Sequence, residues 1–365
     1  MKRLIAFSLL LSLLLCGCGN SDAANTTGAP TTTAPTETTT VPTEETTVAT
    51  EPPVLYRHPL TGEPLDEPFT GRPVAVSIGN TTAALPQHGI SEADIFFEIE
   101  AEGGITRFLP IFTDFSNVAS IGPIRSARTF FNNVAAAYNA PIAHCGGSVR
   151  GIRGYYDLTG SKISEWNPID QFTYGDKYFY RDLDRYNYQG YAWEHCLFTT
   201  GESMMEALSA LEYQTDESWD LGFTFTDEVA TEGESATKIT VSFLGDKTTD
   251  LSYDETTGLY AMRQYNRELI DGTTGEQLTF KNVLVIYADQ TKKHDGYYSR
   301  SYYDLIGEGE GYFAVDGKMV KIQWSREDVK KPFVYTLADG SAVEFGVGKT
   351  YIGIADPDSD PIKYE

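Results

Sequence analysis

Residues 123–128 of this 365-residue chain read Pro-Ile-Arg-Ser-Ala-Arg, which sets two guanidiniums around the expected start of a helix. Unsatisfied backbone N–H groups and the helix dipole at such a start favour an anion. Planar guanidiniums add bidentate recognition of a carboxylate or phosphate. Arg125 and Arg128 are therefore the leading ligand-binding candidates, with Ser126 as a capping residue and Arg107 and His195 as further candidates. The competing reading has the arginines neutralise Glu98, Glu100 or Glu102, which fall at alternate positions of one segment. Side chains two apart on a strand sit roughly 6.5–7 Å apart, so such a row needs cations, solvent or donors to stay ionised.

His144 ends a short apolar strand before Gly146 and Gly147, a usual place for site residues in α/β sheets. With Glu98 or Glu102 nearby it could serve as a general base, which makes His144, Glu98 and Glu102 the catalytic candidates for hydrolysis of a glycan or phosphodiester bond. In that scheme Arg125 and Arg128 would clamp the anion. The bland alternative for His144 is a hydrogen-bonded packing residue. Ser148 follows Gly146-Gly147, but Arg150 breaks the G-x-S-x-G pattern of a nucleophile elbow. No P-loop, dinucleotide fingerprint or metal-ligand spacing occurs, so no cofactor or metal is expected. Cys145 and Cys196 each follow a histidine. In an exported protein such a pair suggests a disulfide, and two unpaired buried thiols are the alternative.

The elements that must position these groups follow from pattern. Residues 72–79 read as a buried strand, and Ser91 as the cap of a helical turn. Two alternating runs around Gly103-Gly104 predict a hairpin. A two-residue loop there sets Glu100 opposite Arg107 and leaves Glu98, Glu100, Glu102 and Arg107 together on one face. A helix is expected over residues 126–138, a strand over 141–144, a further helix near Val149 and another helix over 201–211. Residues 166–198 are loop-rich and strongly aromatic, suited to stacking sugars or to packing loops. After a polar break at residues 228–235 the chain reads as strands and Gly-containing turns. The fold class is α+β: an N-terminal mixed α/β domain over 54–228 with the hairpin and helices, then a β-rich C-terminal domain over 229–356. An acidic tail at 357–365 is expected to fray.

Ahead of this body, Lys2 and Arg3 precede an apolar run that ends in Leu-Cys-Gly-Cys at residues 15–18. That order describes a secretory signal over residues 1–17, since about a dozen apolar residues fall short of the ~20 needed to span a bilayer. Cys18 directly after a small residue is the expected lipidation site. Residues 18–53 form a Thr/Pro-rich tract with too little apolar surface to fold, a stalk with a typical reach of roughly 30–35 Å. Net charge is −24, which argues against nucleic acid as a partner and against adhesion to anionic lipid through protein charge. The expected address is the outer side of the cell membrane, held by the N-terminal lipid.

Three motifs together carry a family resemblance: EGGITRF at 102–108, IGPIRSAR at 121–128 and HCGGS at 144–148. With YRD at 180–182 ahead of His195, and TGEQL at 274–278, they resemble the YerB-like lipoprotein family of Gram-positive bacteria. The resemblance runs in order over nearly all of residues 70–355. It implies paired N- and C-terminal domains of unknown function and brings no assigned catalytic residue. The family usually shows alanine where this chain has Cys145, and Pro-His-Asn where it has Glu194-His195-Cys196. Cysteine at both departures implies that the two places touch, which favours a Cys145–Cys196 bridge and brings His144 close to His195. The leading expectation is a binding or regulatory module of the cell envelope recognising a partner protein or an anionic wall component, with the envelope hydrolase as its rival.

Overall fold

The computed structural model describes residues 56–147, 168–213, 221–229, 232–294 and 299–365. The Cys18 motif, the stalk, Ser148 and the helix expected near Val149 lie outside these residues. Among the described residues no helix is long and apolar enough to cross a membrane.

The body is strand-rich with few helices, and it is organised around a twelve-stranded sheet. From one edge this sheet runs through Glu234–Ser235, Lys318–Arg326, Gly307–Val315, Asn282–Tyr287 and Thr350–Ala355. It continues through Ile95–Glu102, Ile105–Phe112, Val74–Val76, Ile142–His144 and Pro168–Asp170. Thr350–Ala355 is therefore inserted between a strand of the C-terminal half and one of the N-terminal half, parallel to both. All its residues are buried, as a strand covered on both faces requires, and its Tyr-Ile-Gly-Ile-Ala run lacks polar alternation for the same reason.

One face of the large sheet packs on a six-stranded sheet built around Lys238–Ser242, Thr248–Asp254 and Leu259–Gln264. Phe96, Phe108 and Val285 meet Val241, Leu251 and Met262 there. Against the opposite face lie the helix Thr129–Ala137 and an aromatic-rich group from residues 303–345, so that Phe97, Leu109 and Ile352 share a core with Phe130, Trp324 and Phe345. The tail expected to fray is paired: Ile362–Tyr364 pairs with Lys238–Ser242 and packs its half-buried Ile362 and Tyr364 against the inter-sheet core.

The expected hairpin forms, with Gly103 and Gly104 both at positive φ as a tight primed turn demands. Its register differs by one residue from the simple count. Glu102 lies opposite Ile105, but a bulge at Ala101 then sets Glu100 opposite Thr106 and Ile99 opposite Arg107. A one-residue slip moves every side chain to the other face. Arg107, Leu109 and Ile111 consequently join Phe97 and Ile99, while Glu98 and Glu100 share their face with Thr106 and Phe108. The bulge also turns Glu102 onto the face of Arg107, away from the other two glutamates.

A second tie crosses the sequence. Ser91 lies inside the short 3-10 turn Ile90–Glu92 instead of capping a helix, and its hydroxyl and backbone N–H donate to the fully buried Asp271 at 2.9 and 2.8 Å. Gly89 N–H and Thr273 N–H donate to the same carboxylate at 3.0 and 2.7 Å. Asp271→Ala strands these donors, so urea unfolding should show a loss of at least about 2 kcal/mol with an unchanged slope.

Candidate functional site

Glu102 stands at the centre of the arginine cluster. Arg128 grips it through Nε at 2.8 Å and Nη2 at 2.6 Å, and Arg107 adds Nη2 at 3.0 Å. A second Arg107 nitrogen donates to the Ser126 carbonyl. Arg128 keeps only 3% of its surface. The helix begins later than expected, at Thr129, with Arg128 in extended conformation at the N-cap. Ser126 does not cap it, because it lies two residues before the N-cap Arg128. Arg125 takes a different course: its backbone N–H bonds Ser77, and its guanidinium reaches the Glu194 carbonyl at 3.0 Å near the surface.

Glu98 is fully buried between the two sheets. Oε1 accepts from Thr106 Oγ1 at 2.7 Å and Asn80 Nδ2 at 3.0 Å. Oε2 accepts from Thr249 Oγ1 at 2.7 Å and Tyr351 OH at 3.0 Å. Gln264 Nε2 reaches both oxygens at 3.0 Å, and Lys247 Nζ stands 3.3 Å from Oε1. Burial lowers the Lys247 pKa while the Glu98 charge opposes that shift. Burial, then the Glu98 charge, raises Tyr351 well above the ordinary phenol value, so it stays a donor. Glu100 accepts from Gln290 at 3.0 Å, Ser301 at 3.2 Å and Gly104 N–H at 3.2 Å.

His144 ends its strand as expected and is 1% exposed. Its Nδ1 donates to Gly146 O at 2.8 Å, which places the proton on that nitrogen in the neutral ring. Asp170 Oδ1 lies 3.6 Å from Nδ1 and also receives the Gly146 N–H at 3.0 Å. Burial lowers the His144 pKa, with Asp170 opposing. Two strands, Ile105–Phe112 and Val74–Val76, lie between the strand of Glu98 and that of His144, so the structure does not bring the two together. His195 directly follows Glu194, whose carbonyl Arg125 binds, and burial together with the Arg125 charge lowers its pKa.

The expected disulfide is corrected: Cys145 and Cys196 are both free thiols. The Cys145 thiol points to Gln171 Oε1 and the Cys196 thiol to the Ala192 carbonyl, each at 3.4 Å. Backbone at residues 124–125 stands between them, since Cys145 N–H bonds Arg125 O while Ile124 N–H bonds Leu197 O on the other side. Burial raises both thiol pKa values, which suppresses their reactivity.

One feature of the aromatic stretch escapes sequence pattern. Arg185 is buried, donating to Ala84 O at 2.7 Å and Pro86 O at 3.0 Å, with its guanidinium 4.0 Å from the Tyr191 ring centre. Tyr191 OH adds a bond to Leu85 O at 2.8 Å. This clamp fixes the short helix Leu183–Asn187 to the body. Trp193 packs edge-on to Tyr186 with ring centres 5.0 Å apart, and the Arg181 guanidinium lies 4.7 Å from its ring centre. The only advance signal for this arrangement was the density of Tyr and Trp itself.

Comparison with known proteins agrees with the motif resemblance. Residues 60–214 match the family described as "Protein of unknown function (DUF3048) N-terminal domain", and residues 239–352 match the corresponding C-terminal domain. A Bacillus subtilis (strain 168) protein named "Putative lipoprotein YerB" is 27% identical over 312 residues, covering 83% of this chain and 86% of that protein. The crystal structure of YerB from Bacillus subtilis superposes with a TM-score of 0.69 at 25% identity, over 85% of this chain and 99% of that one.

Two outcomes test the electrostatics. Lys247→Met leaves Glu98 buried without its cation and should cost about 3–5 kcal/mol, whereas Lys238→Met at the exposed Glu365 pair should leave the unfolding midpoint in place. His88, His144 and His195 all have pKa values lowered by folding, so the unfolded chain binds protons more readily. Stability should therefore be full above the unfolded histidine value of about 6.5 and fall as pH drops from there toward the depressed folded values. Midpoints that do not move between pH 7.5 and 5 would contradict this.

Proposed function

We propose that this chain, which belongs to the YerB-like family built from paired DUF3048 N- and C-terminal domains, is a non-catalytic binding module tethered outside the cytoplasm by a lipid on Cys18. The tether reading rests on the Cys18 motif and on the lipoprotein name carried by the relative. The binding reading rests on one observation above all: the groups that a hydrolase would use are already engaged by other groups, Glu98 and His144 in the interior and Glu102, 29% exposed, by two arginines. Glu102 is held by Arg107 and Arg128, Glu98 by Lys247 and a ring of donors, and His144 by Gly146 beside Asp170. An acid/base catalyst has to reach the proton it moves, and a carboxylate with every lone pair occupied at zero exposure cannot do so. Of the anion-binding candidates, Arg125 and Ser126 are half-buried, with the Arg125 guanidinium on the Glu194 carbonyl, whereas Arg107, Arg128 and His195 are buried.

Three measurements bear on this. Cys18→Ala should leave the chain released into the medium or uncleaved in the membrane. Purified wall material incubated with the soluble body should yield no soluble glycan or phosphate, and turnover lost in His144→Ala would overturn the non-catalytic reading. Lysine-directed crosslinking of the tethered chain on intact cells should give a reproducible adduct with an envelope component.

A further inference from the structure

The first residues of the described body fold back on themselves as a hairpin, with Tyr56 opposite Leu65 and Arg57 opposite Pro64. Within it Arg57, His58, Leu60 and Thr61 each hold a different part of the molecule. Arg57 grips Asp227 through two bonds, at 2.7 and 3.2 Å. His58 Nδ1 accepts the Thr61 N–H at 3.1 Å, so the neutral ring carries its proton on Nε2, which donates to Thr113 Oγ1 at 2.7 Å. Thr113 in turn donates its hydroxyl and its backbone N–H to Asp94 at 2.6 and 2.7 Å. Leu60 is fully buried in the core that also holds Phe97, Ile352 and Phe345. The Thr61 carbonyl accepts from Gly348 N–H at 2.8 Å, just ahead of the strand Thr350–Ala355 that joins the two halves of the large sheet. Gly62 completes the fit at positive φ: a Cβ there would lie 2.3 Å from the Phe225 ring.

The order of these contacts along the chain sets how they fail. The Thr/Pro-rich tract leads into Tyr56, so a pull along it reaches the hairpin from that end. The Arg57 pair comes first, and its partner Asp227 is exposed, which makes it the weakest of the series. Leu60 and Thr61, the contacts that reach the interior and the joining strand, come last. A hairpin loaded at one strand end unzips, so the contacts are met singly and not together.

We propose that the hairpin Tyr56–Leu65 is a tension-responsive clasp. A pull along the tether peels it away from Arg57 inward, and withdrawal of Leu60 and Thr61 unlocks the start of the strand Thr350–Ala355. Local units of low stability open in this way without global unfolding. This rests on the tether reading and adds a mechanical consequence to it: the body is looser under load than at rest.

The test stretches the purified full chain in an optical trap, with bio-orthogonal handles at Thr46 in the tract and at the exposed Ser209 of the helix Gly201–Ala210. The expected result is a reversible first event at low force that lengthens the chain by roughly 30 Å, the extended length of the hairpin less its folded span, before the body unfolds. Arg57→Ala combined with His58→Ala should lower the force of that event at least twofold. The same variant at rest should raise hydrogen exchange at residues 348–355 at least tenfold, with exchange in the helix Gly201–Ala210 unchanged, which also shows that it is folded. Lys238→Met, at an exposed pair elsewhere, should alter neither readout. A single unfolding event with no early step, an early step indifferent to the double variant, or exchange that rises equally across the body would overturn the proposal. The measurement needs no lipid, so its failure leaves the Cys18 anchor standing, and failure of the anchor in Cys18→Ala leaves the mechanics of the hairpin as measured.

Discussion

The Glu98 carboxylate is the constraint around which the two sheets are assembled. A charge at zero exposure is tolerated only with a cation and filled lone pairs, and no single element of this fold could provide both. Asn80, Thr106 and Tyr351 approach from the large sheet, while Thr249, Gln264 and Lys247 approach from the small one. The cluster contributes little net stability of its own, which comes from the apolar surface around it. What it enforces is alignment: a relative shift of the sheets by one strand spacing would leave a buried carboxylate facing hydrocarbon.

The neighbouring carboxylate on the same strand does a parallel task for the opposite layer. The bulge at Ala101 rotates Glu102 out of the Glu98 row and delivers it to Arg107 and Arg128 at the start of the helix Thr129–Ala137. One strand therefore secures the small sheet with one glutamate and the helical layer with another. Glu98 and Glu102, both offered by the sequence as catalytic candidates, each tie a neighbouring layer to the central sheet. Among the large apolar side chains that face outward are Tyr186, Tyr188 and Trp193, where the chain is clamped to the body from below.

Much of this was legible beforehand, and the misses have specific causes. The hairpin, the strand ending at His144, the helix Gly201–Ala210 and most strands after residue 235 follow from alternation and turn residues. The hairpin register failed because counting from a Gly-Gly turn cannot anticipate a bulge, and one residue of error exchanges the faces. The fate of Glu98 was hidden because Thr249 and Gln264, which satisfy it, lie more than a hundred residues away. The cysteines misled because two substitutions near each other in space do not require facing side chains, and the backbone of residues 124–125 intervenes. The final strand Ile362–Tyr364 was masked by the acids around it.

The position of Thr350–Ala355 carries a consequence for how the chain comes to be folded at all. It is the seam of the large sheet, paired on one side with Asn282–Tyr287 and on the other with Ile95–Glu102, a strand far earlier in the chain. Until it arrives, Ile95–Glu102 has an open edge and Glu98 lacks Tyr351. Sequential folding from the N-terminus, the ordinary route for chains of this size, is therefore closed to the central sheet. The two halves of the central sheet are joined only when this one long-range closure forms.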